Sequence, residues 1–174
     1  MLGRRVRALI VSAALASLLV GSAAGGAVAA TVVALGASQT YGKGVARGAD
    51  FPSQLQAMLR AQGYSVRLAN AGVNGDTTTG MRARLPGALT SDTVLVILQP
   101  GGNDRLKGVS EAETAANIAA IKATLAARNI PVVMVPNQMF AGLPRQADGQ
   151  HLTADGYRAL AAQLVSQVAA YLKK

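Results

Sequence analysis

The chain has 174 residues, a formal charge of +9, one histidine and no cysteine. Those counts exclude disulfides, thiolate nucleophiles and cysteine-based metal sites, and they oblige any imidazole chemistry to use His151. The basic residues from Lys43 to Arg158 never form a run of three, and with six aromatic residues there is little for a nucleobase to stack on. The charge therefore reads as a soluble basic surface, compatible with weak attraction to anionic membranes but not with a nucleic-acid site.

In chain order, Arg4, Arg5 and Arg7 precede an apolar run over 8–20 and then small residues ending in Ala27-Val28-Ala29. A basic start, an apolar stretch and a small-x-small site form the layout of a secretory signal. We expect residues 1–29 to be removed before Ala30 or Thr31 and the mature protein to be periplasmic or secreted. The competing reading is a retained anchor, but the Gly, Ser and Ala of its second half insert weakly into a bilayer. The expected domain is 30–174. Removing three arginines and no acid leaves it at +6. Its size suits one core.

Short apolar runs alternate with amphipathic stretches. Strands are expected over 31–35, 64–69, 93–98 and 130–135, and continuous apolar runs of this kind suit a parallel sheet covered on both faces. A helix over 52–62 follows Asp50, with proline near its first turn. A second is expected over 76–89, capped by Asp76 and weakened by Gly80 and Pro86. Ser110-Glu111-Ala112-Glu113 is a capping box that opens a third, continued by Ile118, Ile121 and Leu125. Thr153 is placed to cap the last helix, with an apolar stripe of Tyr157, Leu160, Leu164, Val168 and Tyr171. The order βαβαβαβα predicts a three-layer α/β/α sandwich, flavodoxin-like in architecture. In such sheets the site lies outside the carboxyl ends of the strands.

Four segments fall at those ends or just before the last helix. Leu35-Gly36-Ala37-Ser38 follows the first strand, where a small residue lets the chain turn and present the serine hydroxyl. Asn70-Ala71-Gly72-Val73-Asn74-Gly75-Asp76 offers glycine N–H groups that suit an oxyanion. Gln99-Pro100-Gly101-Gly102-Asn103-Asp104 brings backbone close and supplies a carboxamide. Asp148-Gly149-Gln150-His151 puts a carboxylate and the one imidazole on a single loop, the arrangement that fixes a histidine tautomer. Alone, the first two segments read better as ordinary turns, the third equally well as a capped turn, and the fourth as a surface loop.

Together the four are far more specific, and in order and content they resemble the blocks of the SGNH hydrolases, also called GDSL-type esterases and lipases. The resemblance covers nearly all of 30–174. It is greatest to the small exported group that includes thioesterase–lysophospholipases and arylesterases. It implies that Ser38 is the nucleophile, His151 the general base and Asp148 its orienter. It also implies that the Ser38 and Gly72 N–H groups and the Asn103 side chain form the oxyanion hole. The implied substrate is a small acyl ester, and neither metal nor organic cofactor is required.

Two departures stand out. The family usually has aspartate before the serine, where this chain has Ala37. The stretch from Asn103 to Asp148 is only 45 positions, shorter than expected for this group, as though a helix and strand were missing. The expectation is therefore four parallel strands and an open acyl site partly walled by Met139, Phe140 and Leu143, residue types that suit plain core equally well. Two rival readings remain. One is a hydrolase-fold protein that binds an acyl chain or glycan without cleaving it, with Ala37 as its mark. The other is a flavodoxin-like nucleotide binder, for which Gly42-Lys43-Gly44 is a weak phosphate signal.

Overall fold

The structure is a computed structural model that describes residues 29–174. Apart from Ala29, the expected export signal lies outside the described residues. Four strands form one parallel sheet: β1 (Ala30–Gly36), β2 (Val66–Gly72), β3 (Thr93–Gln99) and β4 (Val132–Met134), in the order β2-β1-β3-β4. The helices are α1 (Ser38–Tyr41), α2 (Phe51–Ala61), α3 (Thr78–Ala88), α4 (Asn103–Leu106), α5 (Glu111–Ala126) and α6 (Ala154–Ala169), with a 3₁₀ turn at Asn137–Phe140.

Successive residues of a strand face opposite sides, and here both sides are covered. Val32, Ala34, Leu95 and Ile97 pack with Phe51, Leu55 and Leu59 of α2 and with Tyr157, Leu160 and Leu164 of α6. Val33, Leu35, Val96 and Leu98 pack with Met81 and Leu85 of α3 and with Ile121 and Leu125 of α5. This is the three-layer α/β/α sandwich expected from the pattern. Its two central strands, β1 and β3, are the ones with the most continuous apolar runs. The caps behave as their chemistry dictates. Asp50 accepts from the Ser53 N–H at 3.0 Å, Ser110 from that of Glu113 at 3.1 Å, and Thr153 from that of Gly156 at 3.2 Å.

Several boundaries differ from expectation. β4 keeps three residues. Pro131 has no N–H to give to a ladder, although its carbonyl still accepts from Val96 at 3.1 Å. β2 runs on to Gly72, paired with Gly36. Thr77 and not Asp76 caps α3, accepting from the Gly80 N–H at 3.3 Å. Asp76 Oδ1 instead accepts from the Thr77 N–H, and its Oδ2 pairs with Arg84 at 2.8 Å. Tyr171 lies beyond the end of α6 and is exposed, so it is not part of the buried stripe.

The strand order places β2 and β3 on opposite sides of β1. The chain therefore leaves β1 and β3 in different directions, opening a crevice at their carboxyl ends. Ser38 leaves β1 and the Gly101–Asn103 segment leaves β3 at that crevice.

Candidate active site

The Ser38 block is built from two close approaches. Gly36 and Gly72 are register partners at the carboxyl ends of β1 and β2. A methyl on Gly36 would overlap the Thr40 side chain, and one on Gly72 would overlap the Tyr41 backbone. Glycine at both positions lets α1 cross directly over the sheet. Backbone cannot yield as a side-chain tip can, so we expect Gly72→Ala to cost about 1–3 kcal/mol. A denaturant midpoint unchanged from wild type would contradict that.

Hydrogen bonds then fix the turn. Gln99, buried at the end of β3, accepts through Oε1 from the Ala37 N–H and the Thr40 hydroxyl, both at 3.2 Å. Arg84 of α3 reaches across the sheet ends, donating to the Gly36 carbonyl at 2.9 Å, the Ala71 carbonyl at 2.7 Å and Asp76 at 2.8 Å. These ties hold the serine turn in a chain whose residue 37 is alanine. Sequence reasoning passed over both residues, because a glutamine or arginine is by type an ordinary surface residue. The available signal was position, since Gln99 ends the most apolar strand.

Ser38 Oγ lies 2.9 Å from His151 Nε2, and His151 Nδ1 lies 2.6 Å from Asp148 Oδ2. The imidazole is buried, while the Asp148 side chain is 44% exposed, so the carboxylate sits on the rim. Asp148 Oδ1 also accepts from the N–H groups of Gln150 and His151, each at 2.9 Å. The hydrogen bond from the His151 ring, then those two N–H groups, hold the Asp148 carboxyl well below the usual carboxylate range. An ionised Asp148 accepting from Nδ1–H leaves Nε2 as the acceptor facing the serine.

Asn103 opens α4 and shares with Ser38 and His151 a cavity of about 460 Å³. Its Nδ2 donates to the Asp76 carbonyl at 2.8 Å, which uses one of the two hydrogens of that group. Beside it, buried Asp104 accepts from the Thr78 N–H at 3.1 Å, from the Thr78 hydroxyl, and from the Thr114 hydroxyl at 3.3 Å. That network ties α4 to the start of α3, where a carboxylate is favoured by the exposed N–H groups, and to α5.

Three sequence-predicted roles do not survive the geometry. The Gly72 N–H donates to Asn70 Oδ1 at 2.9 Å, and Gly72 lines a separate recess with Tyr41 and Asp50. Its donor is spent, so Gly72 is not a member of an oxyanion hole in this arrangement. The part of its segment that reaches Asn103 is Asp76, whose carbonyl accepts from the Asn103 carboxamide, and the N–H of the preceding Gly75 has no acceptor among the described residues. Met139 and Leu143 pack onto the α2/α6 core and do not line the cavity; of the three predicted wall residues only Phe140 does. Leu106, 74% exposed, Asn137 and Arg145 line the cavity instead. A 3₁₀ turn at 137–140 points neighbouring residues in different directions, which residue type does not reveal. No group of three His, Asp or Glu side chains placed to hold a metal ion occurs among the described residues.

A serine, an imidazole and a carboxylate in one hydrogen-bonded row, outside the carboxyl ends of a doubly wound sheet, define the architecture of a serine hydrolase. Residues 34–173 match the GDSL-like lipase/acylhydrolase family, and the chain belongs to that family. It is 33% identical over 135 residues to Esterase TesA of Pseudomonas aeruginosa (strain PAO1), a match that spans 77% of this chain and 66% of that protein. The crystal structure of an SGNH-hydrolase family esterase, AlinE4, superposes with a TM-score of 0.62 at 27% identity, covering 84% of this chain and 98% of that one. A crystal structure of TesA superposes with a TM-score of 0.71 at 24% identity, covering 82% and 99% of the two chains.

Proposed function

We propose that the protein is a carboxylic ester hydrolase that works through an acyl-enzyme on Ser38. The observation that carries this reading is the unbroken row Asp148–His151–Ser38, with contacts of 2.6 and 2.9 Å, opening on the cavity that also holds Asn103. In this reading Ser38 Oγ attacks the ester carbonyl carbon while His151 Nε2 takes the hydroxyl proton. The carbonyl π pair moves to oxygen. That oxyanion is met by the Asn103 carboxamide and the Ser38 N–H, which opens α1 without a side-chain cap. The Gly75 N–H is the candidate third donor in place of Gly72. Collapse expels the alkoxide, which takes the proton from His151, and water then releases the acid by the same route.

The cavity is small and open, and mixed in character, with Phe140 and Leu106 beside Asn137 and Arg145. It favours short acyl or aryl esters; thioesters and lysophospholipids present the same electrophile to the same residues. Export is part of the proposal and is supported by the layout of residues 1–29. No helix among the described residues is long and apolar enough to cross a membrane.

Hydrolysis of p-nitrophenyl esters, acetate through decanoate, tests the reading. We expect turnover to be highest on the short esters and Asn103→Ala to lower kcat by about 10²–10³, as expected for loss of one oxyanion donor. Near-wild-type kcat in folded Asn103→Ala would remove Asn103 from the mechanism. No turnover of any ester by folded wild type would favour a binding protein.

A further inference from the structure

Gln39 follows the proposed nucleophile directly, and its carboxamide joins two parts of the molecule. Its Nε2 donates to the Gln150 carbonyl at 2.7 Å. That carbonyl belongs to the peptide bond whose nitrogen is His151 N, so the bond reaches from one residue after Ser38 to one residue before the base. Its Oε1 accepts from the Tyr157 hydroxyl at 3.0 Å. Tyr157 is fully buried on α6, and burial, then the nearby Asp148 charge, raises its phenol above its ordinary range, so the hydroxyl keeps its proton. The two contacts also settle which way the amide points, because turning it over would set Oε1 against the carbonyl oxygen.

The rest of the histidine loop is bound mostly to itself. Gln146 donates to the Leu152 carbonyl at 2.7 Å, Arg145 donates to the Gln150 carbonyl at 2.7 Å, and Asp148 receives the two N–H groups already described. Gln146 also reaches the Lys43 carbonyl at 2.8 Å, beyond α1. Gln39 supplies the tie that begins at the nucleophile's own helix. The family's name spells Gly-Asp-Ser-Leu, whereas this block reads Gly36-Ala37-Ser38-Gln39. A leucine side chain has neither the donor nor the acceptor these bonds use.

We propose that Gln39 is a positioning residue that couples base to nucleophile, holding the Gln150–His151 peptide so that His151 Nε2 stays within hydrogen-bond reach of Ser38 Oγ. The inference rests on the acyl-enzyme reading above. Proton transfer is steep in distance, and a misplacement of about 1 Å can cost 10²-fold in rate.

The test compares Gln39→Met, Tyr157→Phe and the double variant by kcat, KM and melting temperature on a short p-nitrophenyl ester. Gln39→Met lowers kcat about tenfold with KM little changed, on the scale of one lost hydrogen bond plus some misplacement. Tyr157→Phe lowers kcat less. The double variant is no slower than Gln39→Met, because the hydroxyl acts through Gln39. Wild-type kcat in Gln39→Met, a rise in KM alone, or losses that multiply in the double variant would each overturn the proposal. Should Gln39→Met fail to fold, wild-type kcat in Tyr157→Phe would do the same. A second readout is independent of turnover. The chain has one histidine, so ring-nitrogen NMR gives a single imidazole. In Gln39→Met its Nε2 signal should move toward the position found in Ser38→Ala, and an unmoved signal contradicts the coupling. An inactive wild type whose Nε2 signal still responds to both substitutions would overturn the esterase reading and leave the coupling standing.

Discussion

Ser38→Ala should lower kcat for a short ester by about 10⁶ while leaving the melting temperature within a degree or two of wild type. The size follows from what is lost. In the proposed mechanism the hydroxyl is the atom that forms the new bond, and removing the nucleophile of a serine triad disables the base and its orienter along with it, so losses do not add. The fold should be indifferent. Among its side-chain contacts, Ser38 Oγ makes one hydrogen bond, to His151 Nε2, and the turn is held by Gln99 and Arg84 instead. A residual rate of about 10³ over water, from the oxyanion donors and binding, should survive. A kcat within tenfold of wild type would place the chemistry elsewhere.

Asp148→Asn is the second large expected effect, about 10⁴ in kcat. An amide that donates to Nδ1 forces the ring proton onto Nε2, where it opposes the serine proton instead of accepting it. The pH dependence tests the state of the carboxylate. The folded-state pKa of Asp148 is lowered from its ordinary value. The sign is therefore that of a carboxylate favoured by folding: its contribution to stability is present above the unfolded-state pKa and is lost as pH falls through the folded-state value. The carboxylate is then already ionised wherever the enzyme is active, and Asp148 should contribute no proton to the acid limb of kcat/KM. A limb falling with the square of the proton concentration would mean that Asp148 titrates there too. Loss of activity in Asp148→Asn smaller than tenfold would remove its orienting role.

How much of this was legible in the sequence depended on the residue. The runs through Val32–Leu35 and Val94–Leu98 announce strands buried on both faces, because a parallel sheet needs apolar residues at consecutive positions. The caps Asp50, Ser110 and Thr153 were readable because an N-cap is a local bond. Asp76 was not, because its carboxylate pairs with Arg84 eight residues on while the adjacent Thr77 takes the cap, and either residue type suits an N-cap. Pro131 was a visible reason for β4 to be short. The Asp148–His151 pairing was readable at a spacing of three, whereas the contact from Ser38 to His151 crosses 113 positions. Family resemblance supplied that contact, and local chemistry did not. The Gly72 expectation failed for an instructive reason. Two glycines in one segment offer the same N–H, and only the Asn70 side chain decides which of them is already taken. The role of Gln39 was invisible because its value lies entirely in what it bonds, and that of Gln99 was signalled only by its position at the end of the most apolar strand.

The proposed mechanism requires Ser38, activated by His151, to be an acylatable nucleophile. The most direct measurement is labelling of the purified protein with an alkyl p-nitrophenyl phosphonate, read by intact mass and peptide mapping. One adduct is expected, on Ser38, absent in Ser38→Ala and formed far more slowly in His151→Ala. No adduct on folded wild type, or an adduct on another residue, would contradict that mechanism.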